Sequence, residues 1–260
     1  MNDKHVKYKS GIIAGLIEVM VTHPIDYYKT QKQYYAYAGN FKNKFQIKNM
    51  YNGIFTRMVG IIPMRLIFWC TQDISEEYLN KKSFGISKYA LAGGFAGTCQ
   101  TFVDYPIEQI KIRRMIYKDN YSNIFKDFVK SNNLVKGFTF TLFRNIGFAS
   151  IFNFILKNNI KNYDSFYHNF LVAAGSGFMA SIITQPFDYF KTIIQSNTKN
   201  NIKLKNIYYD SLVSQQKQLF NMKYLVFFNG AWSRSSISFL GMGIGFSIYD
   251  KFKKILVKCD

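Results

Sequence analysis

His23-Pro24-Ile25-Asp26-Tyr27-Tyr28-Lys29 is written three times in this chain. It returns as Tyr105-Pro106-Ile107-Glu108-Gln109-Ile110-Lys111 and as Gln185-Pro186-Phe187-Asp188-Tyr189-Phe190-Lys191. Each copy reads Pro-x-[Asp/Glu]-x-x-Lys, and the prolines lie 82 and then 80 residues apart. An i,i+3 ion pair on a solvated helix face would account for one copy. It does not account for three in register that use three of the chain's four prolines. The chain is an internal repeat, and the repeat governs everything else in it.

Each third reads as a helix, a basic connection and a second helix. The first helices fall roughly at 10–33, 89–115 and 169–195, the second at 53–77, 137–160 and 230–254. About 20 helical residues reach about 30 Å, the depth of a bilayer core. Residues 169–187 and 235–249 carry no charge, and 53–72 carry only Arg57 and Arg65. Polar residues such as Glu18, Gln100, Thr184 and Gln185 interrupt the apolar runs. In lipid such groups are tolerated only when they face a bundle interior or a wet cavity. Six spans, each with one polar stripe, predict a bundle around water.

The formal net charge of +19 requires an anionic partner: nucleic acid, an anionic membrane or acidic substrates. Its distribution separates these. Residues 27–52, 109–137 and 189–230, which follow the three motifs, hold eighteen basic residues against three acidic ones. The alternate connections are nearly balanced. Basic loops on every second connection are the positive-inside pattern of a polytopic membrane protein. A nucleic-acid binder would cluster its basic residues on one helix or arm beside exposed aromatics. A basic scaffold of that kind is the rival reading from another class. Only ten residues precede the first apolar stretch, too few for a cleaved leader. Cys70, Cys99 and Cys259 have no framework spacing, and no metal cluster, cofactor loop or nucleophile–base pair is recognisable. Enzyme chemistry is not indicated.

The triplicated motif resembles the signature of the mitochondrial carrier family of membrane transporters. The resemblance covers nearly the whole chain and implies an all-α membrane protein. Six transmembrane helices stand in three pseudo-threefold repeats (about 8–85, 86–166 and 167–260) around a central cavity, in one domain spanning 1–260. It also implies a monomer in the mitochondrial inner membrane. Pro24, Pro106 and Pro186 kink the odd helices, since each removes a backbone hydrogen bond. The kinks bring the motif charges to the axis as a matrix gate, pairing Asp26 with Lys111, Glu108 with Lys191 and Asp188 with Lys29. Gln33 and Gln195 match the family's braces beneath these pairs, and Met115 stands at the third brace position. Because substrate must part the gate, its pairs are expected to be wet, partly exposed and of modest strength. Gly11/Gly15, Gly93/Gly97 and Ala173/Gly177 recur before the prolines as small-xxx-small faces that let helices approach.

Aromatic-x-Gly lead-ins end at Gly53, Gly137 and Gly230. Free N–H groups at the helix starts behind them suit a phosphate, and the resemblance implies cardiolipin headgroups there. The family's second motif, [Phe/Tyr]-[Asp/Glu]-x-x-[Lys/Arg], forms a cytoplasmic gate. It is intact only as Tyr249-Asp250-x-x-Lys253; the second helix offers Asp73 with Glu76, and the fourth Lys157 with Ile160. Completing the ring would set Asp250 against Glu76 and Lys157 against Lys253. Those like charges predict a weak gate, with the empty protein resting open to that side.

Family substrate contacts fall at Gly60-Ile61, Arg144-Asn145 and Ile237-Ser238. Arg144-Asn145 resembles the class that carries oxo-, di- and tricarboxylates, where the guanidinium fork grips a carboxylate. Arg57 and Arg234 could form a second cationic shelf, whereas Arg65 is expected to snorkel to a lipid headgroup. Glu18 would face the cavity, available to a proton or a substrate ammonium. The first helix looks like citrate and oxodicarboxylate carriers, while Gly230 to Asp250 also resembles S-adenosylmethionine carriers. The sequence therefore reads as a solute carrier working by alternating access, most simply as an exchanger of a small anionic metabolite. S-adenosylmethionine, an amino acid or a nucleotide is the alternative cargo.

Overall fold

The computed structural model describes residues 3–37, 49–81, 85–117, 120–122, 137–159, 166–196, 228 and 230–258. Most of the basic connections lie outside these. Among the described residues the regular elements are helices: α1 (Asp3–Tyr37), α2 (Ile54–Lys81), α3 (Lys88–Tyr117), α4 (Phe138–Asn159), α5 (Phe166–Ile183), α6 (Gln185–Ser196) and α7 (Ala231–Lys258). A short 3-10 turn, Gly85–Ser87, leads into α3. Helices α5 and α6 are one span broken at Thr184, so the seven helices make six spans. Helix α1 begins at Asp3, earlier than the apolar pattern placed it.

The bundle is inside out relative to a water-soluble one. Thr22, Gln109, Ser181 and Gln185 are buried, while Phe55, Phe102, Tyr167 and Trp232 are 66–79% exposed. That distribution suits a hydrocarbon solvent. Several buried hydroxyls are satisfied locally: Thr22, Thr101, Thr141 and Thr184 each donate to the carbonyl four residues back. By length and composition α2, α4 and α5 are apolar enough to cross a membrane. Helices α1 and α3 carry buried charges (Lys29, Glu108 and Lys111 among them), which lowers their mean hydropathy without exposing charge to lipid.

Helix α1 packs on α2, α3 on α4 and α5 on α7 within the thirds. Helix α2 meets α3, α4 meets α5, and α7 returns to α1, so the ring closes. The three thirds repeat in detail. Gly53, Gly137 and Gly230 take φ of 85°, 83° and 81°, left-handed values that glycine adopts without strain. Each then accepts, at its carbonyl, the N–H four residues on, from Arg57, Thr141 and Arg234. Pro24 and Pro106 lie inside continuous helices. Pro186 is instead the second residue of α6, where a missing N–H costs no helical bond. The third odd span is thus interrupted where the other two are continuous.

The small residues seat neighbouring helices. A Cβ at Gly97 would lie 2.6 Å from the carbonyl oxygen of Asn145, and one at Gly177 2.7 Å from Met242 Cγ. Backbone cannot rotate away, so Gly97→Ala must push α3 off α4. Overpacking of this kind costs roughly 1–3 kcal/mol, and the thermal midpoint should fall by several degrees. Gly175→Ala is the control: no atom lies within 4 Å of its added methyl, and its helix propensity improves. Equal midpoints for the two variants would show that the close approach does not hold α3 to α4.

Candidate functional site

Lys29 Nζ lies 2.5 Å from Asp188 Oδ2, Lys111 bonds Asp26 and Lys191 bonds Glu108. Each pair joins two different thirds, so the three together tie all the odd spans into one floor. The residues arrive there because each acid sits two residues, and each lysine five, beyond its proline, so that the two fall about one turn apart on the same helix face. The floor is drier than expected: side-chain exposure is 3% and 8% in the Lys191–Glu108 pair and 10% and 4% in Lys29–Asp188. Only Asp26, at 24%, retains appreciable contact with water. The brace beneath differs too. The side chains of Gln33 and Gln195 lie outside the described set, and Met115 takes part through its backbone. Its carbonyl accepts the Gln31 Nε2 amide at 2.5 Å, which a side chain lacking donors does not prevent.

Arg144 belongs to this floor. Its Nη1 donates to Glu108 at 3.0 Å and meets Asp188 at 3.5 Å; its Nη2 reaches Asp104 at 3.0 Å, and Nε reaches Asn145 at 3.0 Å. All three nitrogens are engaged by protein. Arg234 is likewise consumed, by the Ser181 carbonyl and Thr184 hydroxyl at 2.9 Å each and by Asp188 at 3.7 Å. Neither offers the free fork that the sequence suggested. Their common neighbour Asp104 was missed altogether. It is 3% exposed and accepts from Arg57, Arg144 and Asn145. The signal was present: two residues before the proline, the other thirds hold Thr22 and Thr184, and only this one holds an acid.

Above the floor opens a cavity with about 960 Å³ of free space, counting its mouth. Glu18, Arg57, Ile61, Arg65, Gln100 and Asn145 supply its wall toward the floor. Arg57 uses Nη1 on Asp104 at 3.2 Å and is 26% exposed. Arg65 does not snorkel to lipid; it turns inward and bonds Glu18, because an unpaired Glu18 carboxylate in this wall would be uncompensated. Gly60 packs under Ile107 rather than in the cavity. Ile237 and Ser238 are not among the lining residues either. Helix α7 reaches the cavity farther along, through Met242, Gly245, Phe246 and Tyr249.

The end opposite the floor also departs from expectation. Trp69 stacks on Tyr249 with ring centroids 5.5 Å apart and planes 13° off parallel. Gln72 bridges Asn153 and Glu76 at 2.8 Å each. Glu76 and Lys157, each expected against a like charge, meet each other at 3.5 Å. Both positions reverse the family's charge, and the two reversals, one on α2 and one on α4, restore attraction. At 38% exposure for Lys157 the pair is worth no more than about 1 kcal/mol. Asp73 is touched by the Tyr8 hydroxyl at 3.5 Å, and the side chain of Lys253 is outside the described set.

A family model described as mitochondrial carrier protein matches residues 82–164 and again 162–259. The chain belongs to the mitochondrial carrier family. It is a transporter rather than an enzyme, a six-span protein of the mitochondrial inner membrane. Among relatives, this carrier is 25% identical to the mitochondrial aspartate-glutamate transporter of Saccharomyces cerevisiae, across 99% of its own length but 32% of that protein's. It is 27% identical to the mitochondrial 2-oxodicarboxylate carrier of Mus musculus, over 72% of its own chain and 73% of the other. It is 24% identical to mitoferrin-1 of Mus musculus, over 96% and 82% respectively. The carrier thus spans about a third of the first of these and most of the others.

Proposed function

We propose that the protein exchanges a small carboxylate-bearing metabolite by alternating access, holding it at Arg57 and Arg65 above the ion-pair floor. The observation that supports this most directly is the donor inventory. Of the four interior arginines, only these two line the cavity and leave most of their N–H groups unused. They stand eight residues apart on α2, a rise of about 12 Å. The floor and the cavity wall together hold seven bases (Lys29, Arg57, Arg65, Lys111, Arg144, Lys191, Arg234) against five acids (Glu18, Asp26, Asp104, Glu108, Asp188). Their surplus of two positive charges complements a dianion.

In this reading Arg144 is a clasp on the closed gate. Substrate must favour the state in which the three pairs part over the state in which they are made, since a ligand of equal affinity for both moves nothing. The N-termini of α2, α4 and α7, each opened by its left-handed glycine, are the seats for cardiolipin phosphates, and the working unit is one chain of three repeats.

Uptake of a labelled solute panel into liposomes carrying the purified protein tests the cargo. Carboxylates should enter, and S-adenosylmethionine and nucleotides should not. Charge-assisted hydrogen bonds contribute roughly 1.5–3 kcal/mol, so Arg57→Ala and Arg65→Ala should each raise the KM for a carboxylate about tenfold or more. Nucleotide uptake that ignores both substitutions would sink the proposal.

A further inference from the structure

The floor pairs knit one span to another out of reach of the cavity. Glu18 and Arg65 form an ion pair of a different kind, standing in the cavity wall itself at 15% and 22% side-chain exposure. The carboxylate is seated in a slot that α7 provides by omitting side chains. A Cβ at Gly245 would lie 2.8 Å from Glu18 Oε2, and one at Gly241 3.3 Å from Oε1. Arg65 spends only Nη2 on Glu18, and its buried Nε–H, packed over Gly15, has no acceptor. The pair is held in place from three spans, yet its cation is far from satisfied.

Such a pair selects its ligand by charge pattern. A carboxylate that takes Arg65 alone strands Glu18 without a counter-charge in a low-dielectric wall. An ammonium that takes Glu18 alone strands Arg65. Breaking a buried pair from one side is costly because the remaining charge is uncompensated. A ligand carrying both groups on one carbon replaces both partners at once and leaves neither alone. An α-amino acid has that pattern. Its second carboxylate, if present, points along α2 toward Arg57, whose guanidinium uses Nη1 on Asp104 and Met64 Sδ.

We propose that Glu18 and Arg65 form a head-group site for an α-amino acid, and that the cargo is an acidic α-amino acid, with Glu18 the residue that reads the ammonium. This rests on the carboxylate-carrier reading above and narrows it.

The test uses matched skeletons that differ only by the α-ammonium. L-aspartate is compared with succinate, and L-glutamate with glutarate, as labelled substrates of the whole protein in liposomes. The amino acid of each pair should be taken up at least tenfold faster at equal concentration. Glu18→Gln keeps the shape and loses the charge, so the amino-acid-to-diacid ratio should fall tenfold or more; Glu18→Asp should recover part of it. The ratio is insensitive to how much protein folds. Parity between amino acid and diacid in the unsubstituted protein overturns this inference and leaves the carboxylate reading standing. So does a Glu18→Gln ratio equal to the unsubstituted one. Uptake of none of the four, with nucleotide or S-adenosylmethionine carried instead, overturns both.

Discussion

Asp188→Ala abolishes uptake and lowers the thermal midpoint by more than any other single substitution at the floor: that is the expected result. Asp188 is 3% exposed and is shared by Lys29 at 2.5 Å, Arg144 at 3.5 Å and Arg234 at 3.7 Å. Its removal leaves three cations facing one another with their common counter-charge gone. Deleting one partner of a buried pair costs roughly 3–5 kcal/mol. At about 2–4 °C per kcal/mol for a chain of this size, the midpoint drops by roughly 6–20 °C. Asp188→Asn should do nearly as badly, because shape is not what the site lacks. Unfolding of the detergent-purified protein followed by tryptophan fluorescence decides it; a midpoint within 2 °C of the parent would mean the charge is dispensable. The neighbouring pair gives the contrast. Asp26 keeps 24% exposure and bonds Lys111 alone among the floor cations, so exchanging the two charges, Asp26→Lys with Lys111→Asp, should recover stability that either single change loses. The same exchange between Lys29 and Asp188 should not, since a lysine at 188 would confront Arg144 and Arg234.

Arg144→Lys should cost nearly as much as Arg144→Ala, which is unusual for a change that keeps the charge. The guanidinium spreads three nitrogens over Asp104, Glu108, Asp188 and Asn145. An ammonium is one point and reaches one or two of them, so a planar fork is not replaced by a lysine. Two buried carboxylates are left short of donors, and the loss should again reach roughly 3–5 kcal/mol, with uptake below a tenth. The measurement that separates clasp from hand is the pairing of unfolding with KM. If Arg144→Lys unfolds at the parent temperature and only its KM for a carboxylate rises, Arg144 grips substrate, as its place in the sequence suggested, and does not lock the floor.

The repeat was legible because it depends on short, local regularities. The Pro-x-[Asp/Glu]-x-x-Lys copies place acid and lysine one helical turn apart at a period near 80, and the resemblance to the carrier signature supplies which thirds must meet. Gly53, Gly137 and Gly230 were visible for the same reason, as repeated lead-ins to the second helices, and the structure adds their left-handed backbone. What could not be read was the allotment of arginines. Arg57, Arg65, Arg144 and Arg234 each sit at an inward helical position, and a guanidinium reaches far enough that helix register alone does not say which carboxylate it finds. Asp104 decided it: with that acid on the axis, Arg144 and Arg57 turn to it, and the cavity is left with Arg65 and what Arg57 can spare. Asp104 was hidden by being a departure from the repeat, where attention goes to what recurs. Glu76 and Lys157 failed in the opposite direction. Each looked wrong against the family's pattern, and only contact between α2 and α4 shows that two wrongs are complementary.

Because α7 lies against α1, the first and last helices are neighbours, and the ring has no seam in space to match the one in the sequence. Which third is made first is therefore a matter of translation, not of architecture. A permuted chain that starts at Lys88, runs through Lys258, crosses a tether to Asp3 and stops at Lys81 would keep the packing of α1 to α7 on one another. It should assemble, and its success or failure would tell whether the order of synthesis matters to a barrel of equal staves.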